Sequence, residues 1–346
     1  MKPNSVLQSK PFAITLDVGT SLLNKTGTWR TERPVYQDRL PPCNHACPAG
    51  ENIQAWLGHA EEGDYEAAWR QIMEDNPLPA VMGRVCYRPC EGACNRVGLD
   101  EAVGINSVER FLGDQALMYG WEVEPGTTTG QRVMIIGAGP TGLSAAFHLR
   151  RFGHEVTIFD ANPQAGGMIR YGIPKYRMPR EKLRAEVARI EAMGVEIHLD
   201  TQIDDVLSTK QAGRFDAVFL CIGAQLPRRL EIVSDEKIQM LDAVVGLRDT
   251  ELDNPSKLKG HVVVYGGGNT AVDVARTAIR MGAISTTLIV FEAREHMPAH
   301  AFEIEEALEE GVILKCLRSI KQVDGGSVTL ERMRATNERW PEPTGE

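Results

Sequence analysis

Residues 131–160 read QRVMIIGAGPTGLSAAFHLRRFGHEVTIFD, and they predict the architecture of most of the chain. An apolar strand, a glycine-rich turn, a helix and a second apolar strand follow one another directly. The turn has GxGxxG spacing: Gly137 permits a tight bend, Gly139 lets the backbone approach a pyrophosphate, and Gly142 lets the helix pack closely. Asp160 ends the second strand, where a carboxylate can accept hydrogen bonds from ribose hydroxyls. The stretch therefore predicts a dinucleotide-binding unit.

A second unit of the same kind follows later in the chain. The strand HVVVYG (261–266) leads into GGGNTA (266–271) and a helix, and the next strand, TTLIVFE (286–292), ends at Glu292. Gly266 and Gly268 take the first two glycine positions, and Ala271 stands at the third. Alternation of strands and helices predicts an α/β fold with parallel sheets. We predict two Rossmann-like domains.

The composition excludes several classes of protein. The chain has 346 residues and a formal net charge of −9, which disfavours a nucleic-acid surface because phosphate binding needs an excess of Lys and Arg. No apolar run reaches the ~18 residues that a membrane span requires. The first residues, MKPNSVLQSKPFAITLD, lack a basic segment followed by an apolar one, so we expect no signal peptide. We expect a cytoplasmic protein with no membrane and no nucleic-acid partner.

The cysteines are concentrated near the start. Five of the seven lie between Cys43 and Cys94. In a reducing compartment such clustering indicates a metal or cluster site rather than disulfides. Four thiolates suit an iron–sulfur cluster or zinc. Because CxxxC spacing is less typical of zinc than CxxC pairs, we favour iron–sulfur and keep zinc as the alternative.

The same part of the chain has helical periodicity. Apolar residues recur at three- and four-residue intervals in ENIQAWLGHAEEG and again in DYEAAWRQIMED, where Asp64 is a candidate N-cap. Asn76-Pro77-Leu78-Pro79 ends this pattern, and a third helix is predicted over Ser107–Tyr119. The predicted domains are an N-terminal arm (1–40), a helical [4Fe–4S] domain (41–124), an FAD domain (131–245) and an NAD(P) domain (246–346).

Several motifs carry a resemblance to a known family. They are CNHACPAG (43–50), MGRVCYRPCEGAC (82–94), GINSVERF (104–111), GAGPTG (137–142), AGGMIRYGIP (165–174) and GGGNTAVDVAR (266–276). From about residue 40 onward the chain resembles the glutamate synthase small (β) subunit family. That family includes the N-terminal part of dihydropyrimidine dehydrogenase and flavoprotein subunits of 2-oxoacid oxidoreductases. The resemblance implies FAD at the first glycine motif, NAD(P)H at the second, and [4Fe–4S] clusters in the helical domain.

The resemblance also implies the cluster ligands. Cys47, Cys86 and Cys90 match three thiolate ligands of one cluster, and Glu109 matches the position of its fourth, oxygen or amide ligand. Two further cysteines, Cys43 and Cys94, match two of the four ligands of another cluster. The CxxC that precedes Cys43 in the family is absent, since the residues there are VYQDRLPP. We therefore predict one cluster, with the second incomplete.

The predicted nucleotide site spans both motifs. Where relatives that prefer NADPH carry arginines, this chain has Phe291-Glu292, and Arg294 follows. A carboxylate ~4 Å from a phosphate charge is repelled by about 4 kcal/mol, roughly a thousandfold in affinity, so we favour NADH. The alternative is that Glu292 faces solvent and Arg294 contacts the coenzyme. The predicted contact residues are Gly137, Gly139, Pro140, Thr141, Gly142, Asp160, Gly166, Gly167, Met168, Gly172, Ile173, Gly223, Gly266, Gly267, Gly268, Asn269, Thr270, Glu292 and Arg294.

The resemblance implies a function in electron transfer. Hydride from NADH would reduce FAD, and single electrons would reach the cluster and a redox partner. We name no catalytic side chain, because hydride transfer to flavin needs no acid or base. The partner is a glutamate synthase large subunit, a 2-oxoacid oxidoreductase or ferredoxin. A late Gly-Asp motif that completes the FAD domain in relatives is absent, so we expect a fragment. The rivals are a non-catalytic iron–sulfur adaptor and a disulfide reductase, the latter disfavoured because no redox CxxC exists.

Overall fold

The computed structural model describes residues 40–224, 232, 238–251, 260–336 and 341–345. The predicted N-terminal arm lies outside the described residues, apart from Leu40. Every helix and strand below belongs to one compact unit, Pro42–Glu346. In the described part of the chain, no helix is both long and apolar enough to span a bilayer.

The helical region (residues 42–121) confirms the predicted helices. The Asp64 side chain accepts a hydrogen bond from the Ala67 N–H and so caps its helix as predicted. That helix ends at Ile72, ahead of the predicted break, and Pro79 opens the next one. The helices are α1 Pro42–Ala46, α2 Ile53–Glu61, α3 Tyr65–Ile72, α4 Pro79–Val85, α5 Pro89–Gly92 and α6 Ile105–Tyr119, with a 3₁₀ turn at Asn95–Gly98.

The first nucleotide unit (residues 131–220) is a parallel sheet with strand order β3-β2-β1-β4. Its strands are β1 Arg132–Ile136, β2 Glu155–Phe159, β3 Glu196–His198 and β4 Ala217–Leu220. β1 pairs with β2 so that Ile135 lies opposite Ile158, and both side chains are fully buried. The helices are α7 Pro140–Arg151, α8 Gly167–Tyr171, α9 Arg180–Ala192 and α10 Val206–Ala212. Successive parallel strands joined by helices form the predicted Rossmann-like layer.

The second nucleotide unit (residues 260–315) repeats this pattern on a smaller scale. Its parallel strands, in the order β5-β6-β7, are β5 His261–Tyr265, β6 Ser285–Ile289 and β7 Ile313–Lys315. The helices are α12 Asn269–Arg280 and α13 Ala301–Glu309, with a 3₁₀ turn at Arg294–His296. The helix α11 Ala243–Glu251 crosses the boundary predicted at residues 245 and 246, and it contacts both α8 and α12.

A third, antiparallel sheet lies at the end of the chain, and the sequence analysis did not predict it. Its strands are β8 Arg318–Asp324, β9 Ser327–Arg334 and β10 Glu342–Pro343, in the order β10-β9-β8. Gly325 and Gly326 connect β8 to β9, both with positive φ (57° and 83°), as a two-residue hairpin turn requires. Gly-Gly between runs of alternating polarity was the available signal.

One hydrophobic core extends across the predicted boundary between the helical domain and the FAD domain. Trp69, Leu78 and Val81 of the helical region belong to the same buried cluster as Ile135 and Phe147 of the first nucleotide unit. The helical region has a second core of its own around Trp56 and Leu112, and the second nucleotide unit has another. The helical region is thus packed onto the first nucleotide unit rather than tethered to it by a linker.

Candidate functional site

The structure brings Cys47, Cys86 and Cys90 together. Cys47 follows α1, Cys86 caps the end of α4 and Cys90 lies in α5. Burial raises the pKa of all three thiols, that of Cys90 to about 12, and a Cys86 thiolate nearby adds to the rise at Cys90. Cys47 also acts electrostatically on both of the others. Burial thus favours the neutral thiols, and a bound metal centre would have to stabilise the thiolates for these residues to act as ligands.

Glu109 joins this group as predicted. It lies on α6, its side chain is buried, and its charge contributes to the raised pKa of Cys86. Burial raises the pKa of Glu109 well above its usual value, and the neighbouring Glu51 raises it further. The Asn76 Nδ2 donates a hydrogen bond of 2.9 Å to Glu109 Oε1. Three thiols and one buried carboxyl therefore converge, a donor set that fits an iron–sulfur cluster.

The two other cysteines are placed differently. Cys43 lies in α1, and its thiol contacts Asn44 Oδ1 at 3.7 Å. Hydrogen bonds from the Val103 and Arg96 backbone lower the pKa of Cys94. Among the described residues, Cys43 and Cys94 have no further ligands that would complete a second cluster site.

The geometry also bears on the zinc alternative. Among residues 40–224, 238–251, 260–336 and 341–345, no three His, Cys, Asp or Glu side chains are close enough to hold one metal ion. Zinc needs four ligands around a single ion, whereas the ligands of a cubane bind separate irons and stand farther apart. The described residues therefore provide no ligand set for a single zinc ion.

The first glycine-rich turn has no room for a side chain at Gly137 or at Gly142. A Cβ on Gly137 would lie 2.2 Å from the Cys221 carbonyl oxygen, and Gly137 has a φ of +110°. A Cβ on Gly142 would lie 1.9 Å from the Gly137 carbonyl oxygen. Asp160 is buried at the end of β2, and its Oδ2 accepts a 2.6 Å hydrogen bond from the Ala138 N–H. The turn is thus closed by its own backbone, with Asp160 holding it; a contact between Asp160 and ribose stays a prediction.

The second glycine pair, Gly166-Gly167, folds back onto this turn. A Cβ on Gly167 would lie 2.6 Å from the Gly139 Cα, and the Gly166 N–H donates to the Ala138 carbonyl at 2.8 Å. Gly139 starts α7 without a side-chain cap, which leaves the helix N-terminus for an anion such as a pyrophosphate. This cradle fits a dinucleotide. Of the other predicted contacts, Pro140 and Thr141 open α7, Met168 lies in α8, Gly172 and Ile173 follow it, and Gly223 follows β4.

The second glycine-rich turn is more open. Gly268 starts α12 without a side-chain cap, and no atom lies within 4 Å of where its Cβ would be. Glu292 is 6% exposed and its Oε2 lies 3.0 Å from the position of a Gly267 Cβ, so Glu292 does not face solvent. Arg294 is exposed. Of the remaining predicted contacts, Gly266, Asn269 and Thr270 belong to this turn and the start of α12.

The cluster region contacts the second nucleotide unit through Tyr87 and His300. The ring of Tyr87, between Cys86 and Cys90, stacks on His300 with centroids 3.9 Å apart. The His300 N–H donates to Asn269 Oδ1 in the second glycine-rich turn at 2.9 Å. Met297, Pro298 and His300 follow the second motif, which predicts that they line the nicotinamide site, whereas Tyr87 carried no such signal.

A buried ionic group lies beside that contact. Arg177 lies between α8 and α9. It pairs with Asp273 at 2.8 Å and with Glu303 at 2.5 Å. Burial raises the pKa of Glu303 to about 7, and the nearby Arg177 opposes that rise. A charge pair between residues so distant in sequence leaves no local pattern, so the sequence analysis could not identify it.

Two family models match the chain. Residues 131–340 match the pyridine nucleotide-disulphide oxidoreductase model, which covers more than half of the chain. The chain belongs to the pyridine nucleotide-disulphide oxidoreductase family. Residues 30–121 match dihydropyrimidine dehydrogenase domain II with its 4Fe–4S cluster. These matches confirm the α/β fold class with a helical iron–sulfur domain and the cofactors FAD, NAD(P)H and [4Fe–4S].

Curated relatives confirm the resemblance seen in the motifs. The chain is 40% identical over 299 residues to the NADP(+)-dependent formate dehydrogenase subunit beta of Moorella thermoacetica, covering 79% of this chain and 42% of that protein. It is 35% identical to the small chain of Escherichia coli glutamate synthase [NADPH], covering 80% and 62%. It is 33% identical to the NAD-dependent dihydropyrimidine dehydrogenase subunit PreT of E. coli O157:H7, covering 86% and 73%. The chain thus spans less than half of the first of these relatives.

Solved structures support the fold of this oxidoreductase. FprA of Mycobacterium tuberculosis in complex with NADPH superposes with a TM-score of 0.52 at 15% identity, covering 62% of this chain and 67% of that one. Identity this low shows the fold alone.

Proposed function

We propose that this chain transfers electrons from NADH through FAD to one [4Fe–4S] cluster held by Cys47, Cys86, Cys90 and Glu109, and from there to a redox partner. The observation that carries the proposal is the convergence of these four side chains on the region packed against the first nucleotide unit. When bound, the flavin takes up hydride as an electron pair and releases single electrons. The residues of this chain bind and orient the cofactors.

The backbone of the first turn and the Gly166-Gly167 loop would hold the flavin dinucleotide. The backbones of Gly139 and Gly167 approach each other closely, as do those of Gly137 and Gly142, so a pyrophosphate can lie against N–H groups rather than side chains. The α7 N-terminus supplies uncapped N–H groups and a favourable dipole for the phosphate charge.

The second turn supports NADH as the coenzyme. The Glu292 carboxylate lies against Gly267, and no described residue donates a hydrogen bond to its Oε2. A buried acceptor without a partner is costly, and the ribose hydroxyls of NADH are donors that would satisfy it. A 2′-phosphate at the same place would be repelled. The names of the relatives include both coenzymes and do not decide the matter.

The Tyr87–His300 stack supports a functional connection between the coenzyme and the cluster. The stack joins the loop between two cluster ligands to a residue hydrogen-bonded to the second glycine-rich turn. The redox partner is a protein that accepts single electrons, and the candidates remain a glutamate synthase large subunit, a 2-oxoacid oxidoreductase or ferredoxin. Several relatives are named as subunits, which agrees with a partner.

The test is anaerobic purification followed by flavin, iron and sulfide analysis and absorption spectra with NADH and with NADPH. We expect about four irons and four sulfides per chain, as one cubane requires, and flavin bands that bleach faster with NADH. Iron and sulfide without flavin would identify an iron–sulfur adaptor. Zinc alone would contradict the proposal, and bleaching by NADPH alone would contradict the coenzyme assignment.

A further inference from the structure

The buried Asn76 side chain is held by hydrogen bonds beside Glu109, one of the proposed cluster ligands. It is 5% exposed, in the break between α3 and α4. Its Oδ1 accepts a 3.0 Å hydrogen bond from the Leu78 N–H. Because an N–H can only donate, this contact fixes which end of the amide is oxygen. The Nδ2 group therefore faces the two carboxyl groups of Glu51 and Glu109.

Both carboxyl groups accept from that one nitrogen. The Asn76 Nδ2 lies 2.9 Å from Glu51 Oε1 and 2.9 Å from Glu109 Oε1. An amide nitrogen has two hydrogens, so each carboxyl group takes one of them. Glu51 is held from its other side, since its Oε2 accepts a 3.2 Å hydrogen bond from Trp56 Nε1. Glu51 is thus a fixed anchor, and the same amide reaches the oxygen of Glu109.

We propose that Asn76, anchored through Glu51, is the positioning residue that holds the Glu109 carboxylate as the oxygen ligand of the cluster. The inference rests on the proposed function. A glutamate side chain loses considerable rotamer freedom when it is fixed, unlike the shorter cysteine ligands. A hydrogen-bond donor behind a ligand orients it, and loss of such donors typically weakens metal binding by about 10- to 100-fold. Asn76 supplies this donor to Glu109, the one ligand that is not a thiolate.

Asn76→Asp tests the inference in the full chain. Aspartate keeps the shape of asparagine and an oxygen for the Leu78 N–H, but it removes the NH₂ group that bridges Glu51 and Glu109. After anaerobic reconstitution with iron and sulfide, we expect EDTA to remove iron about tenfold faster or more than from the unaltered chain. We also expect a changed electron paramagnetic resonance spectrum of the dithionite-reduced cluster. The free energy of unfolding of the cluster-free chain should also fall by about 1–3 kcal/mol, because two buried carboxyl oxygens lose their donor, so a second comparison must separate the two effects.

A double-substitution cycle separates positioning from general stability. Glu109→Cys replaces the oxygen ligand by a thiolate, which Asn76 does not need to orient. If Asn76 acts through Glu109, Asn76→Asp has little further effect on iron loss in that background. Equal acceleration in both backgrounds would mean that Asn76 is merely structural and would overturn the inference. Asn76→Ser, which keeps an acceptor for Leu78 but is too short to bridge, gives the same comparison if Asn76→Asp does not fold.

The two proposals fail in different ways. No iron and no sulfide in the unaltered chain would contradict the proposed function and the inference together. A four-iron cluster whose iron loss and resonance spectrum are unchanged by Asn76→Asp would overturn the inference alone.

Discussion

The two glycine-rich turns share one motif but differ in what their acidic residues do. In the first, Asp160 Oδ2 accepts from the Ala138 N–H at 2.6 Å and Oδ1 accepts from the Asn162 N–H at 2.7 Å. In the second, Glu292 is just as buried, yet none of the described residues donates to its Oε2. The first acid is a part of the protein's own hydrogen bonding, whereas the second leaves an acceptor for a ligand.

The packing around the turns differs in the same sense. Backbone atoms close the first turn at Gly137 and Gly142, and the unit that contains this turn shares a core with the helical region. The second has open space at Gly268 and carries Ala271 where the first has Gly142. We infer that the first turn is fixed by the fold, and that coenzyme selection depends on the second turn.

The largest expected effect comes from Gly142→Ala. Its Cβ would lie 1.9 Å from the Gly137 carbonyl oxygen, and backbone cannot yield as a flexible side chain does. We expect a loss of at least about 3 kcal/mol in the free energy of unfolding, measured in urea, together with loss of bound flavin.

Ala271→Gly is the matched control at the equivalent position of the second turn. Here the expected loss is about 1 kcal/mol, the ordinary cost of glycine in a helix, since the turn already accommodates a Cβ. Equal losses at the two positions would contradict the difference between the turns.

A smaller expected effect is a pH dependence of the free energy of unfolding, caused by Glu186, which joins the first nucleotide unit to the helical region. Glu186 of α9 is fully buried and accepts hydrogen bonds from the Ala80 and Val81 N–H groups at the start of α4, at 2.9 and 3.1 Å. Burial raises the pKa of Glu186 from 4.5 to about 7, against the opposing effects of Arg189 and the two N–H groups. The folded chain therefore keeps this proton where the unfolded chain has released it.

The sign of the pH dependence follows from that raised pKa. The stability that the proton contributes is present in full below the unfolded pKa of 4.5 and is lost as the pH rises through about 7. Relative to Glu186→Gln, which does not titrate, the unaltered chain should lose about 2–3 kcal/mol of unfolding free energy between about pH 5 and about pH 8. Urea titrations at several pH values measure this difference. A constant difference would show that Glu186 does not change its protonation in this range.

The same comparison explains what the sequence could predict. Asp64, the Asn-Pro-Leu-Pro break and both glycine motifs are local patterns, and the structure confirms the elements they predicted. The ligand positions came from the family resemblance, and the structure brings Cys47, Cys86, Cys90 and Glu109 together.

Other features depend on contacts between distant residues. Asn76 bridges carboxyl groups from two different segments, and Tyr87 stacks on a residue far along the chain. Glu186 caps a helix of another region. No spacing rule marks such residues, because their partners are set by packing and not by neighbours in sequence. The core shared by the helical region and the first nucleotide unit was not predicted for the same reason.

The smallest and most specific effect is on coenzyme choice. Glu292→Gln keeps the shape of the side chain against Gly267 and removes the charge that would repel a 2′-phosphate. We expect the ratio of the NADPH to the NADH dissociation constant to fall by at least about tenfold, less than the full Coulomb energy because solvent screens a bound phosphate. Isothermal titration with each coenzyme measures both constants.

Asp160→Asn is the matched change in the first turn, and it should leave the ratio of the two dissociation constants unchanged. It should reduce the free energy of unfolding by about 1–3 kcal/mol, since it disturbs a satisfied buried acceptor. If Asp160→Asn altered the ratio and Glu292→Gln did not, the two acids would have the opposite roles.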